Sequence, residues 1–124
     1  MTNTCKILLI EDDRDQINMY RFKFEKEGFV LISARNGGEG IAAARSEKPD
    51  IILLDLILVN ESGVEVLKKL KSDDITRGIP VIMLTNLAKK EMKLQSERLG
   101  AVDFIVKTQI TPSDLVRRVN QELG

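Results

Sequence analysis

Polar side chains that could do chemistry follow four of the short apolar runs in this sequence. They are Glu11, Asp12 and Asp13 after Ile7–Ile10, Asp55 after Ile51–Leu54, Thr85 and Asn86 after Val81–Leu84, and Lys107 and Thr108 after Asp103–Val106. The chain contains no histidine, which excludes Ser-His-Asp and Cys-His nucleophile systems and removes the commonest transition-metal ligand. Carboxylates, hydroxyls and an ammonium group favour instead a site for a hard cation and phosphate.

Asp55 is the position that is hardest to explain without a function. It interrupts an apolar stretch that runs from Ile51 to Val59, and a charge there costs free energy unless it is paired or bound to a metal. Crowded carboxylates repel one another, and Mg²⁺, which prefers oxygen ligands, would relieve that repulsion. The Lys107 ammonium and the Thr85 hydroxyl could each bind a phosphoryl oxygen. The set therefore predicts phosphoryl transfer to Asp55, with an aspartyl phosphate as product.

The elements that must position these residues alternate along the chain. Near-continuous runs of Ile, Leu and Val predict strands buried on both faces of a parallel sheet, at Ile7–Ile10, Phe29–Ser33, Ile51–Leu54, Val81–Leu84 and Asp103–Val106. Apolar residues at helical spacing predict helices at 14–27, 38–48, 62–71, 88–99 and 112–123. Alternating strands and helices predict one α/β domain over residues 1–124, with ligands bound at the carboxyl ends of the strands.

Residues typical of helix ends support these boundaries. Glycine or proline follows three of the predicted helices, at Gly28, Pro49 and Gly100. The candidate caps are Asp13, Ser62 with Glu65 as a capping box, and Thr111 followed by Pro112 and Asp114.

Composition excludes several classes of protein. Acidic and basic residues balance at 19 each among 124 residues, so the chain lacks the basic excess of a nucleic-acid binder. Its apolar runs are far shorter than the ~18 residues that span a bilayer, and the first residues lack the apolar segment of a signal peptide. Cys5 is the only cysteine, so the chain forms no internal disulfide. We expect a cytoplasmic protein that binds neither nucleic acid nor membranes directly.

Four motifs resemble those of one known family. They are Ile7–Asp13, Pro49–Asp55, Ile79–Thr85 and Gly100–Lys107. In this order and spacing they are similar to the motifs of bacterial response regulator receiver domains, the chemotaxis-regulator-like family of two-component signalling, and the resemblance covers almost the whole chain. It implies a doubly wound, five-stranded parallel sheet of flavodoxin-like order 2-1-3-4-5, with five helices in a three-layer α/β sandwich.

The resemblance also implies a role for each site residue. Asp55 matches the phosphoacceptor, Thr85 the switch hydroxyl, Lys107 the lysine of the motif, and Phe104 the aromatic ring that responds to phosphorylation. Asp12 matches a direct Mg²⁺ ligand and Glu11 one that acts through water, and Asp55 and the main-chain carbonyl of Ile57 would complete the set. The implied activity is limited to the chain's own phosphorylation and autodephosphorylation.

The resemblance implies two kinds of partner. A histidine kinase or a phosphotransfer protein would supply the phosphoryl group. An unidentified output protein would bind the face made by the fourth helix, the fifth strand and the fifth helix. In this sequence that face includes Lys89, Lys90, Lys93, Leu94 and Arg117.

The residue after Lys107 departs from the family pattern. The family usually has proline there, joined by a cis peptide bond, whereas this chain has Thr108. A cis bond before a residue other than proline costs about 2.5–4 kcal/mol. We nevertheless expect a cis Lys107–Thr108 bond, because the site needs the ammonium in place.

Four further residues near the predicted Asp55 site bear on its chemistry. Val59 stands where the family usually has proline, which predicts a looser loop after Asp55. Asn86 replaces a small residue and would narrow access to Asp55. Ile57 and Leu87 are apolar at positions that flank the phosphoryl site. We expect these two side chains to hinder an attacking water and to prolong the life of the phosphoryl group.

Two other interpretations compete with an active receiver. An enzyme of similar topology would need either a Ser/Thr/Gly-rich flavin phosphate loop after the first strand, where this chain is acidic, or the second aspartate of a haloacid-dehalogenase-like phosphatase, where it has Ile57. A degenerate receiver that acts as a phosphorylation-independent interaction module would explain Thr108 and Asn86. That alternative does not explain why the full set of site residues is present.

Overall fold

The computed structural model describes residues 5–124, which are built around a five-stranded parallel sheet. Its strands are β1 Lys6–Ile10, β2 Val30–Ala34, β3 Ile51–Asp55, β6 Val81–Thr85 and β7 Asp103–Val106, and a separate antiparallel ribbon pairs β4 Ile57–Leu58 with β5 Glu61–Ser62. The helices are α1 Arg14–Lys26, α2 Gly37–Glu47, α3 Gly63–Ser72, α4 Lys90–Arg98 and α5 Pro112–Leu123, with a 3₁₀ turn at Lys107–Gln109.

The strand order of the sheet confirms the predicted fold class. The order is β2-β1-β3-β6-β7, which is 2-1-3-4-5 when only the strands of the large sheet are counted. Ile10 pairs with Leu54, Asp55 with Leu84, and Thr85 with Val106. Because all these pairs are parallel, the residues that follow β1, β3, β6 and β7 emerge at one edge of the sheet.

The sheet is buried on both faces, as the near-continuous apolar runs predicted. Successive residues of a strand point to opposite faces, so Leu8 packs into one hydrophobic cluster and Leu9 into the other. The Leu8 cluster includes residues of α2 and α3. The Leu9 cluster includes residues of α1 and α5. Fully burying one such side chain contributes about 1.5–3 kcal/mol, and this two-sided packing holds the strand ends in fixed positions.

The predicted helix caps are largely confirmed. Asp13 accepts hydrogen bonds from the N–H groups of Asp15 and Gln16 at the start of α1, and Thr111 forms a reciprocal capping box with Asp114 at the start of α5. Ser62 caps α3, but its hydroxyl accepts from the Val64 N–H, one residue before the Glu65 N–H that a capping box uses.

The helix α4 differs most from its predicted span and is the least anchored of the five. It begins at Lys90 instead of residue 88, and its N-cap residue Lys89 forms no side-chain capping bond. Ser96 is its one buried residue, and the Ser96 hydroxyl has no hydrogen-bond partner within the described part of the chain. By contrast, α3 buries four apolar side chains, Val64, Val66, Leu67 and Leu70. The position of α4 therefore depends on few apolar contacts.

Across residues 5–124, every helix is too short or too polar to cross a bilayer.

Candidate functional site

The Lys107 ammonium is at the centre of the predicted site. Its Nζ donates to Glu11 Oε2 and to Asp55 Oδ2, each at 2.9 Å, and to Gln16 Oε1 at 2.5 Å. The Lys107 side chain is 7% exposed, and the Glu11 and Asp55 side chains are 2% and 11% exposed. Side chains from the ends of β1, β3 and β7 thus meet in one pocket, as the sequence predicted.

Gly63, the first residue of α3, lies against the main chain of Asp55 and Leu56, a contact that the sequence did not predict. The Gly63 N–H donates to the Leu56 carbonyl at 2.6 Å. A Cβ at Gly63 would lie 2.2 Å from the Asp55 main-chain oxygen, which is far inside van der Waals contact. Glycine is required where α3 begins because any larger residue would push the Asp55 main chain aside.

The loop after Asp55, which Val59 predicts to be looser than usual, is held by hydrogen bonds. It forms the β4–β5 ribbon, which turns at Asn60 with φ 63°. Its main chain is hydrogen-bonded to two acids of the site, because the Val59 N–H donates to Asp12 Oδ2 at 2.8 Å and the Ile57 N–H donates to Asp55 Oδ1 at 3.0 Å. These side-chain acceptors supply a restraint that does not depend on proline.

The charged groups of the site shift one another's pKa values. Burial and the neighbouring Asp55 together raise the pKa of the Glu11 carboxyl to about 7, although Lys107 opposes the shift. Burial alone would lower the pKa of the Lys107 ammonium, but the Glu11 and Asp55 carboxylates outweigh that effect and raise it. One ammonium is therefore insufficient to stabilise all the neighbouring carboxylates in their charged form.

The residues expected to hold a metal line a cavity of about 250 Å³. Its lining includes Glu11, Asp12, Asp55, Ile57, Thr85 and Leu87. Within residues 5–124, no three acidic, histidine or cysteine residues are grouped tightly enough to hold a metal ion. Glu11 and Asp55 instead accept hydrogen bonds from Lys107, and Asp12 accepts one from the Val59 N–H. The donor chemistry still fits a hard cation, since the carboxylates of Glu11, Asp12, Asp13 and Asp55 line this cavity and a single ammonium, that of Lys107, donates hydrogen bonds to two of them.

The two switch candidates lie on one face of the sheet. Thr85 is fully buried, and its Oγ1 accepts from the Leu87 N–H at 2.9 Å. Phe104 in β7 pairs with Met83 in β6, and Met83 lies two residues before Thr85. The side chains of Thr85 and Phe104 therefore point to the same face of the sheet. Phe104 is buried at 8% exposure and packs in the core.

The expectation of a cis Lys107–Thr108 bond was wrong. All peptide bonds among residues 5–124 are trans, and Lys107 begins a 3₁₀ turn in which Thr108 is exposed. The long lysine side chain reaches Glu11 and Asp55 from this turn, so the ammonium is placed without the free energy that a cis bond would cost.

Gln16 is a further site residue that the sequence analysis missed. Its side-chain oxygen completes the set of acceptors around Lys107. The available signal was its position three residues after the Asp13 cap, in the first turn of α1, where a side chain can turn back toward the carboxyl edge of the sheet. Its polarity alone did not distinguish it from an exposed surface residue.

Comparison with known proteins identifies the family. Residues 7–120 match the response regulator receiver domain family.

The chain belongs to this family.

Relatives of this receiver domain differ in how much of their length it spans. Protein PilH of Pseudomonas aeruginosa is 32% identical over 120 residues, which cover 97% of this chain and 98% of PilH. The polar-differentiation response regulator DivK of Brucella anthropi is 35% identical over 120 residues, 95% of each chain. The phosphate regulon regulator PhoB of Escherichia coli is 35% identical over 114 residues, which cover 92% of this chain but only 49% of PhoB.

Solved structures support the same fold. A CheY-like receiver domain protein of Methanospirillum hungatei superposes with a TM-score of 0.90 at 29% identity, covering 98% of this chain and 94% of that one. The chemotaxis protein CheY4 of Vibrio cholerae, with a TM-score of 0.89 and 24% identity over 96% of this chain and 98% of its own, shares the fold. The chain is therefore a receiver domain of the two-component signalling kind.

Proposed function

We propose that this receiver domain accepts a phosphoryl group on Asp55 in a magnesium-dependent transfer from a histidine kinase or a phosphotransfer protein. The observation that carries the proposal is that Lys107 Nζ lies 2.9 Å from both Asp55 Oδ2 and Glu11 Oε2. Phosphoryl transfer depends mainly on positioning and charge neutralisation. An ammonium already beside the acceptor carboxylate supplies both.

The chain's own residues orient the nucleophile and receive the new charge. The Ile57 N–H holds Asp55 Oδ1 at 3.0 Å, and Lys107 holds Oδ2, so the carboxylate presents a fixed edge to the cavity. Once a phosphoryl group is attached, the Lys107 ammonium and the Thr85 hydroxyl bind its oxygens. Thr85 Oγ1 accepts from Leu87, which leaves the hydroxyl proton available for this purpose.

The residues that would hold Mg²⁺ are Glu11, Asp12, Asp55 and the main-chain carbonyl of Ile57. When bound, the cation supplies positive charge that offsets the crowded carboxylates and the phosphoryl oxygens. The raised pKa of Glu11 supports a need for such charge, because burial and Asp55 both disfavour its ionised form.

A conformational change at Thr85 and Phe104 would transmit the signal. Movement of Thr85 toward the phosphoryl group frees space on the face that it shares with Phe104. The ring borders a cavity of about 250 Å³ beside α4, together with Lys89, Lys90 and Lys93. The weak anchoring of α4 lowers the free energy of shifting it, so phosphorylation biases a pre-existing equilibrium of the α4–β7–α5 face. An output protein then binds that face in the cytoplasm.

Treatment with acetyl phosphate and Mg²⁺ followed by intact mass spectrometry tests the proposal. We expect the mass of one phosphoryl group to be added, to be absent after chelation of Mg²⁺, and to be absent from Asp55→Asn. Asp74→Asn, whose side chain is 87% exposed and which does not line the acidic cavity, serves as the matched carboxylate control and should be phosphorylated. An unmodified wild-type chain, or an adduct that persists in Asp55→Asn, contradicts phosphorylation at Asp55.

A phosphorylation-independent interaction module is the second candidate. It is favoured by Thr108 and Asn86, which depart from the residues usual in the family at these two positions. Failure of the wild-type chain to take a phosphoryl group, with binding of a partner unchanged by Asp55→Asn, would establish this alternative.

A further inference from the structure

The Lys107 ammonium uses all of its donors inside the site. An ammonium has three N–H groups, and the structure gives Lys107 Nζ three acceptors: Glu11 Oε2, Asp55 Oδ2 and Gln16 Oε1. Two of these acceptors are carboxylates that the proposed reaction engages. The third, on Gln16, is a neutral amide at the shortest of the three distances, 2.5 Å.

Gln16 is itself held by the start of α1. Its main-chain N–H donates to the Asp13 side chain at 3.3 Å, within the N-cap that fixes the first turn. The Gln16 side chain is partly buried and lines both the acidic cavity and a groove between α1 and α5 that Lys107 also lines. It therefore borders both spaces next to the Lys107 ammonium.

A neutral acceptor is suited to this position. A carboxylate at residue 16 would add a further negative charge to a site where burial already raises the charging cost of Glu11. An apolar side chain would leave one buried N–H of the ammonium without a partner, which is unfavourable. The amide oxygen attracts the ammonium without adding charge, and its attraction does not change when Asp55 becomes phosphorylated.

The turn that carries Lys107 offers no comparable restraint. The residue after Lys107 is the exposed Thr108, in a short 3₁₀ turn, and a lysine side chain has many rotamers to restrict. We infer that Gln16 is a positioning residue that holds the Lys107 ammonium against Asp55. It restrains the end of the Lys107 side chain, whose main chain is not restrained by a following proline. The inference rests on the proposed function for its consequence, but the contact itself exists without phosphorylation.

Direct observation of the ammonium tests the contact without any phosphoryl donor. In ¹⁵N-labelled protein the Lys107 ammonium should give a ¹H–¹⁵N signal protected from solvent exchange, assigned by its loss in Lys107→Arg. We expect Gln16→Leu and Gln16→Met to abolish this protection, and Gln16→Glu to restore it because an acceptor oxygen returns. Asn18→Leu, an equivalent change at an exposed position of the same helix, should keep the signal.

Phosphorylation kinetics test the consequence. With acetyl phosphate and Mg²⁺, we expect Gln16→Leu to slow phosphorylation of Asp55 about tenfold, equivalent to ~1.4 kcal/mol, while its affinity for Mg²⁺ stays within about twofold of wild type. Asn18→Leu should react at the wild-type rate. In a Lys107→Ala background Gln16→Leu should cause no further loss, because a residue that acts through Lys107 is not additive with its removal.

The outcomes separate this inference from the proposed function. A protected Lys107 signal and a wild-type rate in Gln16→Leu would overturn the inference, as would an equal loss in Asn18→Leu. A wild-type chain that takes no phosphoryl group would reject the proposed function, and the ammonium signal would still decide whether Gln16 anchors Lys107.

Discussion

The Glu61 carboxylate, in β5, accepts a hydrogen bond from the first residue of helix α2. Glu61 Oε2 accepts from the Gly37 main-chain N–H at 3.0 Å. This bond ties the β4–β5 ribbon beside Asp55 to the N-terminus of α2, where free N–H groups and the helix dipole favour a negative charge.

Removing this carboxylate should loosen the ribbon. We expect Glu61→Ala to lower the free energy of unfolding by about 1 kcal/mol, with a smaller loss in Glu61→Gln, which keeps an acceptor but not the charge. Urea denaturation at neutral pH measures both. Glu25→Ala, at an exposed position of α1, is the control, and equal stability of the Glu61→Ala and Glu25→Ala variants would show that the bond contributes nothing.

Gly63 should tolerate no side chain. A Cβ would lie 2.2 Å from the Asp55 oxygen and 2.8 Å from the Leu56 Cα, and both are main-chain atoms that cannot rotate away. We expect Gly63→Ala to lower the free energy of unfolding by about 1–3 kcal/mol and to slow phosphorylation of Asp55 by displacing its main chain.

Gly78→Ala is the matched control for Gly63. A Cβ at Gly78 would meet no atom within 4 Å, so alanine there should be neutral or should stabilise by about 0.4–1 kcal/mol through a less flexible unfolded chain. Denaturation midpoints of the two variants decide the matter. Equal midpoints would mean that α3 moves away from Asp55 without cost.

Ile57 and Leu87 should protect the phosphoryl group from water. Both line the acidic cavity, and we expect the phosphorylated wild-type protein to persist for minutes or longer. Ile57→Ala and Leu87→Ala should each shorten that lifetime, because a smaller side chain admits water to phosphorus. Loss of the phosphoryl mass with time after removal of the donor gives the rate.

Val59→Ala is the control for this prediction. Val59 is 65% exposed on the same loop and is not among the residues that line the cavity. The phosphorylated Val59→Ala variant should therefore have the wild-type lifetime. A wild-type lifetime of seconds would show that the apolar side chains do not exclude water.

Acid should destabilise the fold partly through Asp73. The Ile75 N–H, which donates to Asp73 at 2.9 Å, and the Arg45 guanidinium hold the pKa of this carboxyl below its ordinary value of 3.8. The unfolded chain therefore binds the proton more readily. The stabilisation by Asp73 is fully present above pH 3.8 and is lost as pH falls through the folded-state pKa.

Comparison of unfolding at pH 7 and at about pH 3 measures this contribution. Asp73→Asn should be less stable than wild type at neutral pH, and the difference should shrink in acid. Asp74→Asn, next in sequence and 87% exposed at its side chain, should leave the pH dependence of wild type unchanged. Parallel curves for wild type and Asp73→Asn would contradict the assignment.

The sequence by itself determined the elements and the edge of the sheet at which the site lies. Runs of Ile, Leu and Val define parallel strands that are buried on both faces, and this pattern is local, so it can be recognised without coordinates. Because parallel strands end at the same edge, Glu11, Asp55, Thr85 and Lys107 had to emerge near one another. The strand order followed from the family resemblance and was confirmed.

Only the tertiary structure decided how those side chains are arranged. Gln16 as the third acceptor of Lys107, the trans Lys107–Thr108 bond and the bond from Val59 to Asp12 each depend on atoms brought together by packing. The requirement for glycine at position 63 has the same origin, because the Asp55 oxygen reaches it only when α3 docks on the sheet. Hydrophobic periodicity specifies which face of an element is buried, whereas hydrogen bonds depend on distances of a few tenths of an ångström, which only the packed structure defines.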